Sequence, residues 1–185
     1  MDKKIINILK NGGIGVMPTD TIYGLVGSAL NRKTVRKIYK IRRRNPKKPF
    51  IILINSKDDL KIFGIHPNVK TQKVLKKLWP GKVSVILPCR LKKFAYLYRG
   101  TNTLALRVPK KNSLRKLLRS TGPLVAPSAN WEGYPPAKNI KEAKKYFGDH
   151  IDFYVNGKNK NTKPSTLIMI KSGQVSVLRQ GSVKI

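Results

Sequence analysis

Short apolar or β-branched runs recur along the chain, at Ile14 to Met17, Phe50 to Ile54, Val83 to Leu87, Thr103 to Val108, Leu124 to Ala126, Ile151 to Val155, Thr166 to Ile170 and Gln174 to Leu178. Most are short and continuous, the pattern of strands buried on both faces. Such strands need covering layers, and helical spacing falls between them. It is seen at Val35, Ile38 and Tyr39, at Val74, Leu75, Leu78 and Trp79, at Leu114, Leu117 and Leu118, and at Ile140, Ala143, Tyr146 and Phe147. Pro67, Pro80, Pro109 and Pro123 punctuate the boundaries. Several strands follow one another through short turns near the C-terminus, so a mixed sheet is expected rather than a parallel one. The predicted class is α/β, an open twisted mixed sheet flanked by helices. With 185 residues, 40% of them hydrophobic, one domain over 1–185 can bury its own core.

Cys89 is the sole cysteine, which excludes an internal disulfide and any clustered-thiolate zinc site, with only His66 and His150 to join it. Both histidines sit in turn or helix-end contexts and receive no role. The N-terminal MDKKIINILKNGG lacks an apolar core long enough for a signal peptide, and no run approaches a membrane span. A cytoplasmic protein is expected. The charge is unusual: 40 Lys+Arg against 8 Asp+Glu, a formal +32. An AT-rich genome explains lysines but not scarce acids, so a polyanionic substrate or partner is implied. Such a surface also gives salt-sensitive affinity for RNA backbones, whatever the main task.

Familiar motifs fail one by one. Gly13 and Gly15 have neither the third glycine nor the following helix of a dinucleotide site, and no phosphate-cradling G-x-x-x-x-G-K-[ST] exists. Ser128 lies in "APSAN" rather than in a nucleophile elbow. Most carboxylates, among them Asp58, Asp59, Glu142, Asp149 and Asp152, fall in polar helix or turn contexts; Asp20 is the exception. What remains is a set of hydroxyls and cations at strand ends and turns. Such a set serves a reaction that needs charge neutralisation and alignment, as phosphoryl or nucleotidyl transfer does.

Six motifs in order give that inventory a source: "PTDTIYGLVGSAL", "RRRNPKKPFIILI", "WPGKVSVIL", "TLALRVP", "PLVAPSAN", and "STLIMI" followed by "VLRQG". Taken together the chain resembles the YrdC-like family of L-threonylcarbamoyl-AMP synthases, in its short single-domain form. The resemblance implies a twisted α/β sheet with a concave basic face. It also implies synthesis of threonylcarbamoyl-AMP and pyrophosphate from L-threonine, bicarbonate or CO2 and ATP, with Mg2+ accompanying ATP and no other cofactor. The product would feed the machinery that places t6A on tRNA.

Position by position, the resemblance implies substrate-threonine contacts at Thr21, Arg107 and Ser165. It implies ATP contacts at Arg42, Arg44, Lys48, Thr103, Ser128, Asn130 and Arg179. The family's Lys-x-Arg pair falls on Arg42 and Arg44 by ungapped counting, with Lys40 as the second choice. Leu53 stands where some members have a threonine-contacting histidine, and Lys82 and Ser84 replace a common Pro and Thr. No protein nucleophile or acid/base pair is required if a carbamate oxygen attacks the α-phosphorus in line. Thr19 and Asp20 are expected to shape the turn, with Asp20 bonding it or orienting a nearby cation. The rival class is a non-catalytic tRNA- or double-stranded-RNA-binding module on the same scaffold.

Overall fold

The computed structural model describes residues 2–171 and 173–185. The first half runs α1 (Lys3–Lys10), β1 (Ile14–Pro18), β2 (Tyr23–Ser28), α2 (Arg32–Ile41), β3 (Ile51–Leu53), α3 (Val69–Leu78) and β4 (Val83–Pro88). The second runs α4 (Ala95–Tyr98), β5 (Thr103–Arg107), α5 (Asn112–Thr121), β6 (Leu124–Val125), α6 (Ile140–Phe147), β7 (Phe153–Tyr154), β8 (Thr166–Lys171) and β9 (Gln174–Arg179). Asparagines open several helices where the spacing begins. The Asn31 side chain accepts the Lys33 and Thr34 amides of α2, and Asn68 and Asn139 do the same for α3 and α6.

Among the described residues nine strands form one sheet, in the order β7-β1-β2-β6-β3-β5-β4-β8-β9. β1/β7, β3/β5 and β4/β8 are parallel, and the remaining neighbours are antiparallel. The sheet is therefore open and mixed, as the strand spacing predicts. Successive residues alternate between its two faces. Met17, Val26, Leu53 and Leu124 pack under Leu9 of α1 and Leu114, Leu117 and Leu118 of α5. Their neighbours Val16, Leu25, Ile52 and Val125 join the larger core on the other face, with Val35 and Ile38 of α2, Leu75 of α3 and Phe147 of α6.

The α1–α5 layer stops at β3. Leu53 pairs with Arg107 in register and Ile51 with Ala105, so β5 continues the same face beyond that cover. There Thr103, Ala105 and Arg107 of β5, Ile86 of β4 and Leu167 of β8 border a cavity instead of a helix. Half-covering one face of the sheet thus creates the site.

Three elements were not expected: β2, α1 and the single turn of α4. β2 reads as a turn because Gly24 and Gly27 interrupt it, yet Gly27 is what lets α2 lie close. A Cβ there would stand 2.6 Å from the Thr34 methyl and 3.0 Å from Ile38 Cδ1. α1 carries Ile5, Ile6, Ile8 and Leu9 at helical spacing, a signal that reading the N-terminal stretch only for a signal peptide passes over. β9 departs from the buried-strand pattern: it ends the sheet order and is exposed along its length. Among the described residues, no helix is long and apolar enough to cross a membrane.

Candidate functional site

The cavity on the uncovered face has a volume of about 430 Å³ and is lined by Thr21, Arg42, Arg44, Thr103, Arg107, Ser128, Ser165 and Arg179, with Thr19, Ile22, Phe50, Ile51, Pro127, Pro136 and Pro164 among the rest. Residues separated by up to 160 positions in sequence converge because the first and last thirds of the chain meet across the central strands.

α2 delivers the first two arginines. Arg42 caps its C-terminus, Arg43 turns the chain with a positive φ of 51°, and Arg44 follows. The turn sends alternate side chains apart: the Arg43 guanidinium stacks 3.8 Å from the Trp131 ring, while Arg42 and Arg44 border the cavity. Arg42 is buried. Its Nε donates to the Asn130 carbonyl at 3.0 Å, and its Nη2 donates to Ser128 Oγ and Asn130 Oδ1, both at 3.2 Å. Burial, and secondarily the charge of Arg44, draw the Arg42 guanidinium down to about 10. It remains charged at neutral pH without a carboxylate in hydrogen-bond contact.

Asn130 is fully engaged. Besides accepting from Arg42, its Nδ2 donates to the carbonyls of Trp131 and Tyr134 at 2.6 and 2.8 Å. It stands behind the cavity wall as the support of Arg42. Arg44 donates to the Lys48 carbonyl at 3.2 Å and the Pro49 carbonyl at 3.4 Å. Lys48 does not line the cavity: its ammonium lies 2.9 Å from Glu132 Oε1, while Glu132 Oε2 accepts the Asn45 amide at 2.6 Å. Lys40 is exposed on α2 and also lies outside the lining, so of the two registers the structure brings Arg42 and Arg44 to the cavity.

At the other end Arg107 makes a 2.6 Å ion pair with Asp20, the two side chains only 4% and 5% exposed. Asp20 Oδ2 also accepts the Lys110 amide at 3.0 Å, tying the β1–β2 turn to the end of β5. Burial lowers the Arg107 guanidinium and Asp20 opposes that shift. Thr19 and Thr21 sit beside this pair, both buried. Ser165 contacts Ser84 at 2.9 Å between hydroxyl oxygens, and its carbonyl accepts Arg179 Nη2 at 2.9 Å. The Arg179 guanidinium is lowered first by burial, then by Arg44 and Arg107, so three guanidinium groups lie close enough to repel. Such a cavity is tuned for anions.

The expectation that Asp20 bonds its turn or orients a nearby cation is met at Arg107; Thr19 reads from sequence as a turn residue and Ser84 as a variant position, and Glu132 received no reading. One signal for Asp20 was present: it was the carboxylate outside the polar helix and turn contexts. Nothing local marks Glu132, whose partners lie 84 to 87 positions away. Among the described residues no group of three or more His, Cys, Asp or Glu could hold a metal ion.

An open α/β sheet with a cationic, hydroxyl-rimmed cavity on its bare face defines a protein that aligns anionic small molecules. The family model Sua5_yciO_yrdC, described as "Telomere recombination", matches residues 7–181. This chain belongs to the Sua5/YciO/YrdC family. It is 34% identical over 167 residues to a threonylcarbamoyl-AMP synthase of Marinobacter nauticus, covering 88% of this chain and 87% of that one. A Methanocaldococcus jannaschii relative is 32% identical over 188 residues, covering 99% of this chain and 88% of its own. The crystal structure of P. abyssi Sua5 complexed with L-threonine matches with a TM-score of 0.88 at 27% identity over 96% of this chain. This chain spans about half, 53%, of that longer protein.

Proposed function

We propose that this chain is an L-threonylcarbamoyladenylate synthase, a nucleotidyltransferase that joins L-threonine, bicarbonate or CO2 and ATP, and that its product serves the t6A transferase machinery of tRNA. The observation that carries the reading is the convergence of Arg42, Arg44, Arg107 and Arg179 on one cavity with Thr21, Ser128 and Ser165. The synthase name of the Marinobacter relative and the threonine bound to the P. abyssi relative support the substrate assignment.

In this reading Arg107, Thr21 and Ser165 hold threonine, whereas Arg42, Arg44, Ser128, Thr103 and Arg179 hold the nucleotide. Lys48 and Asn130 act from behind, Lys48 through Glu132 and Asn130 through Arg42. The neutral threonine amine adds to CO2, and loss of one N–H proton to water gives a carbamate. A carbamate oxygen attacks the α-phosphorus, the bond to the bridging oxygen breaks, and pyrophosphate leaves with its electron pair. The two reactants are anions that repel in water, and a field of guanidinium groups lowers that cost while holding them in line. Mg2+ enters as part of MgATP: the carboxylate at this rim, Glu132, is already engaged by Lys48 and the Asn45 amide. The +32 charge supports RNA affinity as an additional, salt-sensitive property, but a backbone binder has no need of the neutral Ser128 and Thr21 hydroxyls.

The test is pyrophosphate release by the purified chain. Release should require threonine and bicarbonate as well as ATP, and Arg44→Ala should lower it about a hundredfold or more. Retention of RNA with no threonine-dependent release would favour the binding module instead.

A further inference from the structure

We propose that Thr19 and Asp20 are positioning residues that fix the polarity of the amino-acid end of the cavity, Asp20 making Arg107 its donor pole and Thr19 making Thr21 its acceptor pole. The inference rests on the synthase reading above and concerns which way round the amino acid is held.

The hydrogens around Thr19 fix its direction. Its hydroxyl donates to the Ile22 carbonyl at 2.7 Å and accepts the Thr21 amide at 3.1 Å. The Thr19 and Thr21 hydroxyl oxygens are 3.2 Å apart. A hydroxyl carries one hydrogen, and that of Thr19 is committed to Ile22. Thr21 is therefore the donor in the 3.2 Å contact, which leaves its oxygen lone pairs to face the cavity that it lines. Replacing Thr19 by a residue without a hydroxyl would free the Thr21 hydrogen to rotate and the pole would lose its sign.

Asp20 acts in a complementary way on Arg107. A guanidinium has donors only. Asp20 Oδ1 takes Nη1 at 2.6 Å, and the Lys110 amide fixes the second oxygen at 3.0 Å, so the carboxylate itself cannot swing. The Arg107 Nε is buried and has no hydrogen-bond partner among the described residues. With one edge clamped, the remaining donors are held for an incoming carboxylate. Because Asp20 compensates the charge, this end suits a ligand that brings one carboxylate together with N–H or O–H hydrogens, and holds a polyphosphate less well than the arginines without a carboxylate partner do. A zwitterionic hydroxy-amino acid has that chemistry; a polyphosphate does not. The three consecutive residues Thr19, Asp20 and Thr21 thus divide the work: two set directions, and the third meets the ligand.

Calorimetric titration of the full chain with L-threonine and, separately, with MgATP tests this. Thr19→Val keeps the side-chain shape and should weaken threonine binding about tenfold while leaving MgATP within about twofold. Thr19→Ser should restore the threonine affinity, since it returns the hydroxyl. Asp20→Asn, which keeps an acceptor for Arg107 but drops the charge, should also weaken threonine selectively. Unchanged threonine affinity in Thr19→Val, or an equal loss for both ligands, overturns the proposal while the synthase reading stands. Absence of threonine binding by the unsubstituted chain overturns that reading itself, and the polarity assignment with it.

Discussion

Two buried arginines face the same cavity and are held in opposite ways. Arg107 has a carboxylate at 2.6 Å, whereas Arg42 has the Ser128 hydroxyl, the Asn130 carbonyl and the Asn130 amide oxygen, all neutral. A compensated charge in a low-dielectric wall is near electrostatic balance; an uncompensated one is costly until an anion arrives. Burial draws both guanidinium groups down, Arg42 to about 10, and at Arg107 a carboxylate in contact opposes the shift. The folded pKa of Arg42 lies below the unfolded one, so the penalty is fully present below about pH 10 and lessens as pH rises through that value. A phosphate oxygen bound at Arg42 removes the same penalty at neutral pH. The contrast divides the cavity into the end proposed to take the nucleotide, where Arg42 has no carboxylate in contact, and the end proposed to take the amino acid, where Arg107 already has its counter-ion.

The sharpest way to break this contrast is to make the two arginines alike. Asp20→Ala leaves Arg107 buried and unpaired, and should cost about 3–5 kcal/mol of stability, seen as a melting temperature lowered by roughly 10 °C. If the melting temperature does not move, Arg107 is not compensated by Asp20 as described. Arg42→Ala should act on function more than on folding, because it removes an uncompensated charge: pyrophosphate release falls about 10² to 10³-fold, and the thermal shift given by MgATP in the unsubstituted chain disappears. A persisting MgATP shift would assign the nucleotide to another wall. The smallest effect belongs to the rim. Glu132→Gln breaks the contact to Lys48, whose side chain is 59% exposed, and should change the KM for ATP by no more than about threefold, with the difference vanishing at high salt.

The same contrast explains what was legible in the sequence. Local pattern carries the strands and long helices: apolar runs and helical spacing located eight of the nine strands and α2, α3, α5 and α6. It missed β2, because Gly24 and Gly27 erase the apolar signal at the place where α2 must approach. The ordered motifs pointed to Thr21, Arg42, Arg44, Thr103, Arg107, Ser128, Ser165 and Arg179, all of which border one cavity. Partnership is another matter. Asp20 and Arg107 are 87 positions apart, and Arg42 reaches Asn130 across 88. Nothing in a linear pattern says that one arginine is neutralised and the other is not. Lys48 was expected at the nucleotide and is instead turned to Glu132, a pairing that depends on how the loop after Asn130 folds back over the end of α2.

The proposed synthase must make a bond between a carbon derived from bicarbonate and an amino acid carried on AMP. Incubating the purified chain with MgATP, L-threonine and carbon-13 bicarbonate, and analysing the products by mass spectrometry, tests it directly. The account predicts a threonylcarbamoyl-AMP ion that carries the label and is absent when threonine is omitted. AMP or ADP formed without any labelled adduct, at the same rate with and without threonine, would contradict it.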